Sequence, residues 1–172
     1  LYIEKDAQIN PKIEQMRLAA TASLLTRPDT IVVASVSCIY SVGNPATYRS
    51  LGFELHRGQT ISRRELLERL IDLQYERNEL ELVPGRFRSK GDVIDLVPGY
   101  FNNIIRIELF GDEIDRIVEI DRNSGLANEE MPYFHVWPAR HFVIAEDQKN
   151  RAIASIEAEL EEVLPTLGMI EA

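Results

Sequence analysis

The sequence predicts an α+β fold in which an antiparallel β-hairpin module with helices is inserted between two pieces of an α/β domain. Residues 84–120 contain two successive pairs of strand-like segments, and each pair is joined by a short turn with a glycine. Before this region, a predicted helix leads into a β-branched run at residues 30–35, which is typical of a strand covered on both faces. A helix feeding such a strand is the unit of a parallel α/β sheet, and one unit cannot bury itself.

Helices are predicted from capping residues and from the spacing of apolar side chains. Asn10 followed by Pro11 marks a helix start, and Ser62 with Glu65 forms a capping-box pattern. A long acidic helix near the end of the chain is expected to stop before Pro165. The predicted helices are residues 11–26, 46–51, 62–73 and 145–163.

Strands are predicted where β-branched and aromatic residues lie between turn residues. The first hairpin is expected to turn at Lys90-Gly91 and the second at Gly111-Asp112, and residues 126–130 are expected to form a loop. The predicted strands are residues 30–35, 53–57, 79–83, 86–89, 92–97, 103–110, 113–120 and 133–137.

Alternation along the strands predicts which side chains share a face. The core face is expected to contain Phe87, Ile94, Ile105, Ile107, Leu109, Ile114, Val118 and Ile120. The outer face is expected to contain Arg86, Arg88, Asp95, Arg106, Glu108 and Phe110. Such a face is either an ordinary solvated sheet surface or a surface that binds another protein.

Two residues of the second hairpin conflict with a regular register. A two-residue turn would place Glu108 directly opposite Asp115, and like charges in that position are unfavourable. Arg116 would point into the core, so it must reach solvent, find a carboxylate or mark a β-bulge.

Composition excludes several classes of protein. The net charge of −9 over 172 residues argues against general nucleic-acid binding, because phosphate contacts need clustered Lys and Arg. No apolar run approaches 20 residues and no signal peptide is visible, so no membrane span is expected. The single cysteine, Cys38, lies in an apolar run and fits a reducing cytosol.

No catalytic constellation is visible in the sequence. The three histidines, His56, His135 and His141, lack metal-ligand spacing, and no serine lies in a nucleophile-elbow motif. The phosphate-binding pattern G-x-x-x-x-G-K-[ST] is also absent. We therefore expect neither catalysis nor cofactor or metal binding by this chain alone.

Four segments resemble the UvrB family, the B subunits of the excinuclease ABC of nucleotide excision repair. They are YIEKDAQIN at residues 2–10, IVVASVSCIY at 31–40, RFRSKGDVIDLVP at 86–98 and IELFGDEIDRI at 107–117. The resemblance implies a RecA-like, helicase-type α/β domain around the inserted module. It also implies that the intact protein is a DNA-dependent ATPase using ATP with Mg, which accepts damaged DNA from UvrA and recruits UvrC in the cytoplasm.

The resemblance also implies roles for particular residues. Tyr2 and Lys5 are similar to the returning end of a DNA-probing hairpin. The module is similar to the domain that docks on UvrA, and six residues correspond to its binding positions: Arg77, Arg88, Lys90, Arg106, Glu108 and Phe110.

The resemblance divides the chain into three parts. Residues 1–45 correspond to part of the helicase-like domain, residues 46–139 to the UvrA-interaction domain, and residues 140–172 to a return segment with the acidic helix. Two alternatives stay open, namely the equivalent module of a transcription-repair coupling factor and a free-standing protein-interaction module.

Overall fold

The structure is a computed structural model that describes residues 10–35, 45–141 and 146–167. It is an α+β fold, as the sequence predicts. The helices are α1 (Pro11–Thr26), α2 (Pro45–Leu51), α3 (Arg63–Asp72) and α4 (Glu146–Leu167). The strands are β1 (Phe53–His56), β2 (Glu76–Arg77), β3 (Arg86–Lys90), β4 (Val93–Val97), β5 (Ile104–Phe110), β6 (Glu113–Ile120), β7 (Ala127–Glu130) and β8 (Tyr133–Val136).

Two sheets are formed by the described strands. Six strands pair in the order β2-β3-β4-β5-β6-β7, and every pair is antiparallel except the short parallel pair β2–β3. Strands β1 and β8 pair antiparallel in a separate ribbon, so β8 returns along the start of the module. The six-stranded sheet is therefore a mixed sheet built around the two consecutive hairpins.

The core lies on one face of the large sheet. Helix α3 contributes Leu66 and Leu70, which are fully buried, and its amphipathic pattern arises from leucines three and four residues apart. Strands β3 to β6 contribute their inward side chains to the same cluster, including Phe87, Ile94, Leu96, Ile105, Ile107, Ile114 and Ile117. The opposite face of the sheet carries the charged residues together with the buried Val97, Val118 and Ile120.

Helix starts follow the predicted capping chemistry. The side chain of Asn10 accepts a hydrogen bond from the Lys12 backbone N–H at 3.0 Å, with Pro11 at the first helical position. The Ser62 hydroxyl accepts one from the Glu65 backbone N–H at 3.2 Å. Both starts are confirmed, because these side chains satisfy N–H groups that have no partner inside the helix.

The second hairpin has the predicted turn and a bulge one step beyond it. Phe110 pairs with Glu113 across Gly111-Asp112, but the register shifts so that Glu108 faces Arg116. Asp115 is the extra residue of the bulge. The β-bulge, which the sequence offered as one explanation of Arg116, is confirmed, and it replaces the like-charged Asp115 opposite Glu108 by a cation.

The same bulge reverses the predicted faces of β6 beyond it. Val118 and Ile120 were expected on the core face, yet they pair with Arg106 and Ile104 on the other face. Ile117 takes the core position instead and is fully buried. A single inserted residue has this effect because side chains alternate with a period of two.

The first hairpin turns one residue later than predicted. Lys90 pairs with Val93, so the turn residues are Gly91 and Asp92 instead of Lys90 and Gly91. Gly91 has φ +60°, a conformation that glycine adopts without steric cost. The pairing moves by two residues, so Arg88 stays on the face of Asp95 as predicted, and it now lies directly opposite Asp95.

Two predicted strands are absent. Residues 30–35 have no regular structure, and Ile31 and Val33 are 89% and 95% exposed, because no strand of the described part pairs with them. Residues 79–83 are not a strand either. The Asn78 side chain accepts hydrogen bonds from the backbones of Leu80 and Glu81, which turns the chain after β2.

Two further predictions about element limits are wrong. Strand β7 occupies the predicted loop, and it forms by backbone pairing with β6 although all four of its side chains are exposed. Helix α4 continues past Pro165 to Leu167. Proline removes one N–H donor but keeps a helical φ, so a helix can pass through it near an end.

Among the described residues, no helix is both long enough and apolar enough to span a membrane.

A candidate protein-binding surface

Strand β5 presents three of the predicted binding residues side by side. Arg106, Glu108 and Phe110 alternate with three buried aliphatic residues of the same strand, so all three lie on the face away from the core. The predicted alternation along β5 is confirmed. This strand is central in the sheet, and it therefore holds these side chains on a rigid support.

Asp95 of β4 lies at the centre of this face. It is only 3% exposed and it pairs with two arginines, one from each neighbouring strand. Arg88 donates to Asp95 Oδ2 through Nε at 2.9 Å and Nη2 at 2.7 Å. Arg106 donates through Nε to Oδ1 at 2.7 Å and through Nη2 to Oδ2 at 3.1 Å. One buried carboxylate thus holds two guanidinium groups across three strands.

The electrostatics of this cluster favour the charged forms. Burial raises the pKa of Asp95, but hydrogen bonds from Arg106 and Arg88 outweigh burial and hold that pKa below its ordinary value. The hydrogen bond to Asp95 raises the pKa of Arg106. Asp95 with Arg88 and Arg106 carries a net charge of +1, and we call these three residues the Asp95 cluster.

Asp95 fixes the two arginine side chains, yet both remain partly exposed to solvent. Their side chains are 39% exposed for Arg88 and 34% exposed for Arg106. Each directs its Nε and Nη2 edge at Asp95. In the described part of the chain, neither Nη1 atom has a hydrogen bond, so both are available to a partner.

A second charge network continues the face towards the sheet edge. Arg116 lies 3.3 Å from Glu108 and 3.3 Å from Glu130, and Glu130 also pairs with Arg57 at 3.1 Å. The bulge at Asp115 creates this network, because it moves Arg116 from the core face to the face of Glu108. Glu108 is therefore paired, with its side chain 30% exposed.

The other two predicted binding residues lie beside the Asp95 cluster. Lys90 ends β3, and Arg77 on β2 pairs with Glu79 at 2.7 Å. A surface cavity of about 470 Å³ is lined by Glu79, Arg88, Lys90, Val93, Asp95 and Arg106. Arg77 does not line this cavity, but Glu79, its ion-pair partner, does. Five of the six predicted binding residues thus lie along strands β3 and β5, and Arg77 lies at the sheet edge.

Phe110 is the apolar member of this surface. It ends β5 next to the Gly111 turn, and it is 84% exposed. Aromatic side chains are enriched among residues that contribute most to protein–protein affinity, and an exposed ring costs little to desolvate. The surface therefore combines arginines, an aromatic side chain and paired acids, a composition typical of a protein-binding site.

The predicted DNA-hairpin residues Tyr2 and Lys5 lie outside the described residues, as does Cys38. Two of the three histidines share a carboxylate, since His135 lies 3.5 Å from Glu54, which also contacts His56. His141 contacts Glu14 at 2.8 Å and fastens α1 to the module, whereas His56 lies 3.1 Å from Glu54. Within residues 10–35, 45–141 and 146–167, no group of acidic, histidine or cysteine side chains could hold a metal ion.

Sequence reasoning placed Asp95 on the outer face but did not include it among the binding residues. Its signal is a single carboxylate inside the apolar strand VIDLV, where a buried charge needs a partner. Arg116 and Glu130 were also missed. The bulge that aligns Arg116 and the strand that carries Glu130 both depend on tertiary pairing.

The chain is an α+β domain with a mixed six-stranded sheet and a charged outer face, and comparison with known proteins gives its family. The family model described as the UvrB interaction domain matches residues 53–142, just over half of the 172 residues. The chain belongs to this family, which confirms the membership expected from its sequence motifs.

Curated relatives agree with the family match. UvrABC system protein B of Methanosarcina acetivorans is 65% identical over 99% of this chain. The proteins of the same name from Methanococcus maripaludis and Carboxydothermus hydrogenoformans are 58% and 49% identical, over 99% and 95% of this chain. The aligned region covers 25%, 26% and 25% of these three relatives, so the chain spans about a quarter of their length. The chain therefore corresponds to a part of the proteins named UvrABC system protein B.

Proposed function

We propose that the chain is the UvrA-binding part of a UvrB-type subunit in nucleotide excision repair, and that the outer face of the large sheet is the binding surface. The observation that carries this proposal is the Asp95 cluster. A buried carboxylate holds two partly exposed arginines on the face that also presents Phe110. The name of the family, an interaction domain, supports a partner for this face.

The charges of the face suit a partner surface that carries both signs. Arg88, Arg106 and Lys90 offer donors to carboxylates, and Glu108 offers an acceptor to a cation. Complementary charges at an interface fix its register and reject wrong partners. Phe110 adds an apolar contact. Apolar contacts around interfacial charge pairs exclude water from those pairs.

The two alternative functions are less well supported. The curated relatives with the matches described above are all named UvrABC system protein B, which favours a UvrB subunit over a transcription-repair coupling factor. A free-standing interaction module is disfavoured, because those relatives are about four times as long as the region that aligns with this chain.

The remaining functions of the intact protein belong to the same proposal. In it, ATP with Mg, damaged DNA and UvrC are bound by the longer, cytoplasmic UvrB-type protein of which this chain is part. The 172 residues contain no phosphate-binding loop motif and carry a charge of −9. We therefore expect the chain itself to show no ATPase activity. We expect it to bind UvrA through the outer face of the large sheet.

The proposal is tested by measuring the affinity of the chain for UvrA with single substitutions on and off the face. Phe110→Ala removes an exposed ring and leaves the core intact, so we expect the Kd to rise about 30-fold, which corresponds to the ~2 kcal/mol of an interface hot spot. Arg64→Ala is the matched control, because Arg64 is an exposed residue of α3 and α3 packs on the other side of the sheet. Unchanged affinity for Phe110→Ala and Arg88→Ala together would exclude this surface.

A further inference from the structure

Asp95 occupies a position where an apolar residue would be the simpler choice. It lies between Ile94 and Leu96, which are both fully buried, and it is itself only 3% exposed. Burying an unpaired carboxylate is costly, and replacing a buried ion pair by apolar residues is often neutral or stabilising. Folding alone therefore gives no reason to prefer an aspartate here.

The hydrogen bonds of Asp95 place both arginines in one fixed arrangement. Four donor atoms, two from each guanidinium, converge on its two oxygens at 2.7–3.1 Å. Both arginines come from strands hydrogen-bonded to β4, so their backbones are also fixed. Arg88 and Arg106 line the same cavity as Lys90.

We infer that Asp95 is a positioning residue for partner binding, which holds Arg88 and Arg106 as a preformed pair of guanidinium donors for carboxylates of the partner. A free arginine samples many rotamers and must lose them when it binds. Here the buried carboxylate restricts those rotamers before the partner arrives. Asp95 itself is only 3% exposed, so in this proposal it acts on the partner through the two arginines.

This inference rests on the proposed function, and it explains why paired arginines can still contribute to affinity. An arginine that is paired with a carboxylate of its own protein normally contributes little to the affinity for a partner. In this cluster two arginines share one carboxylate, so the cluster keeps a net charge of +1, and neither Nη1 atom has a hydrogen bond in the described part of the chain. Glu79 and Glu108 lie close enough to interact electrostatically with Arg88 and Arg106, and a partner carboxylate would add to these contacts. The ligand group that fits is an acidic side chain.

Asp95→Asn and Asp95→Leu test the inference in the full chain with UvrA as the partner. Asparagine keeps the shape but removes the charge, whereas leucine removes every acceptor and keeps the site apolar. We expect Asp95→Leu to weaken UvrA binding about tenfold, because two freed arginines must be ordered on binding. Asp95→Asn keeps one acceptor oxygen, so we expect it to weaken binding in the same direction by a smaller factor. We also expect the Nε–H signals of Arg88 and Arg106 in ¹H–¹⁵N NMR spectra to lose their protection from exchange with water.

Two controls separate positioning from a general loss of stability. Ile94→Val trims the neighbouring core residue, so it should lower the melting temperature while UvrA affinity stays unchanged. In an Arg88→Gln, Arg106→Gln background, Asp95→Asn should cause no further loss of affinity, since it acts only through the arginines.

The possible failures point to different conclusions. Normal UvrA affinity of folded Asp95→Asn and Asp95→Leu would overturn the positioning role, and so would an equal loss in the presence and absence of the arginines. If the Arg88→Gln, Arg106→Gln chain binds UvrA normally, the proposed binding surface itself is wrong.

Discussion

Ile107 and Arg106 are neighbours on β5 whose substitution should have opposite consequences. Ile107 is fully buried against the core, whereas Arg106 lies on the outer face and pairs with Asp95. Ile107→Ala should therefore reduce the stability of the module and leave the binding surface intact. Arg106→Gln should reduce UvrA affinity and change stability much less, because glutamine can still donate one hydrogen bond to Asp95.

The expected sizes follow from burial and charge. Truncating a fully buried isoleucine to alanine costs about 2–5 kcal/mol of unfolding free energy. Each kcal/mol lowers the melting temperature of a domain of about 60–100 residues by about 4–8 °C, so the drop should be at least about 8 °C. Removing one partner of an interfacial charge pair costs about 2–5 kcal/mol of binding free energy. The smaller value corresponds to an increase of about 30-fold in Kd.

Both quantities are measured on both variants, by thermal melting and by calorimetric titration with UvrA below the lower melting temperature. Arg64→Gln is the control for loss of a surface arginine. A melting temperature of Ile107→Ala equal to that of the parent would refute the strand register. Loss of stability without loss of affinity in Arg106→Gln would show that Arg106 serves folding only.

Three further outcomes are expected. The folded pKa of Asp95 lies below the ordinary value of 3.8, so its ion pairs stabilise the chain fully above about pH 4 and are lost as the pH falls through the folded pKa. Acid titration of Asp95→Asn should thus show a smaller loss of stability below pH 3.8 than the parent, and equal losses would contradict this. Gly99→Ala should lower the free energy of unfolding of the chain by about 1–3 kcal/mol, because a Cβ at Gly99 would lie 2.6 Å from the backbone oxygen of Ala139. An unchanged denaturant midpoint would disprove that close approach. The chain should bind duplex DNA weakly at physiological salt, since its charge is −9, and a tight, salt-sensitive gel shift would be incompatible with this expectation.

Local signals predicted the parts of the fold that depend on local chemistry. The caps at Asn10 and Ser62 set the starts of α1 and α3, and the Gly111-Asp112 pair set the second hairpin. Alternation then placed Arg106, Glu108 and Phe110 on one face, because the extra residue of the bulge lies in β6 while β5 keeps its own alternation and is buried on its other side. These features need only neighbours within a few residues along the chain.

The parts that were missed depend on contacts between distant segments. The bulge at Asp115 removes a like-charge contact across the hairpin. The sequence indicated only that Arg116 was in conflict with a regular register. Strand β7 forms because β6 offers an unpaired edge, and residues 30–35 lack such an edge in the described part. Asp95 became a central residue only when its two arginines were seen to converge on it.

Hydroxyl-radical footprinting of the chain with and without UvrA tests the central claim most directly. Phe110 is 84% exposed, and Tyr133, at 55%, is an exposed aromatic residue of the separate β1–β8 ribbon. At saturating UvrA we expect oxidation of Phe110 to fall sharply while oxidation of Tyr133 stays unchanged. Phe110 remaining as reactive in the complex as in the free chain would contradict the account.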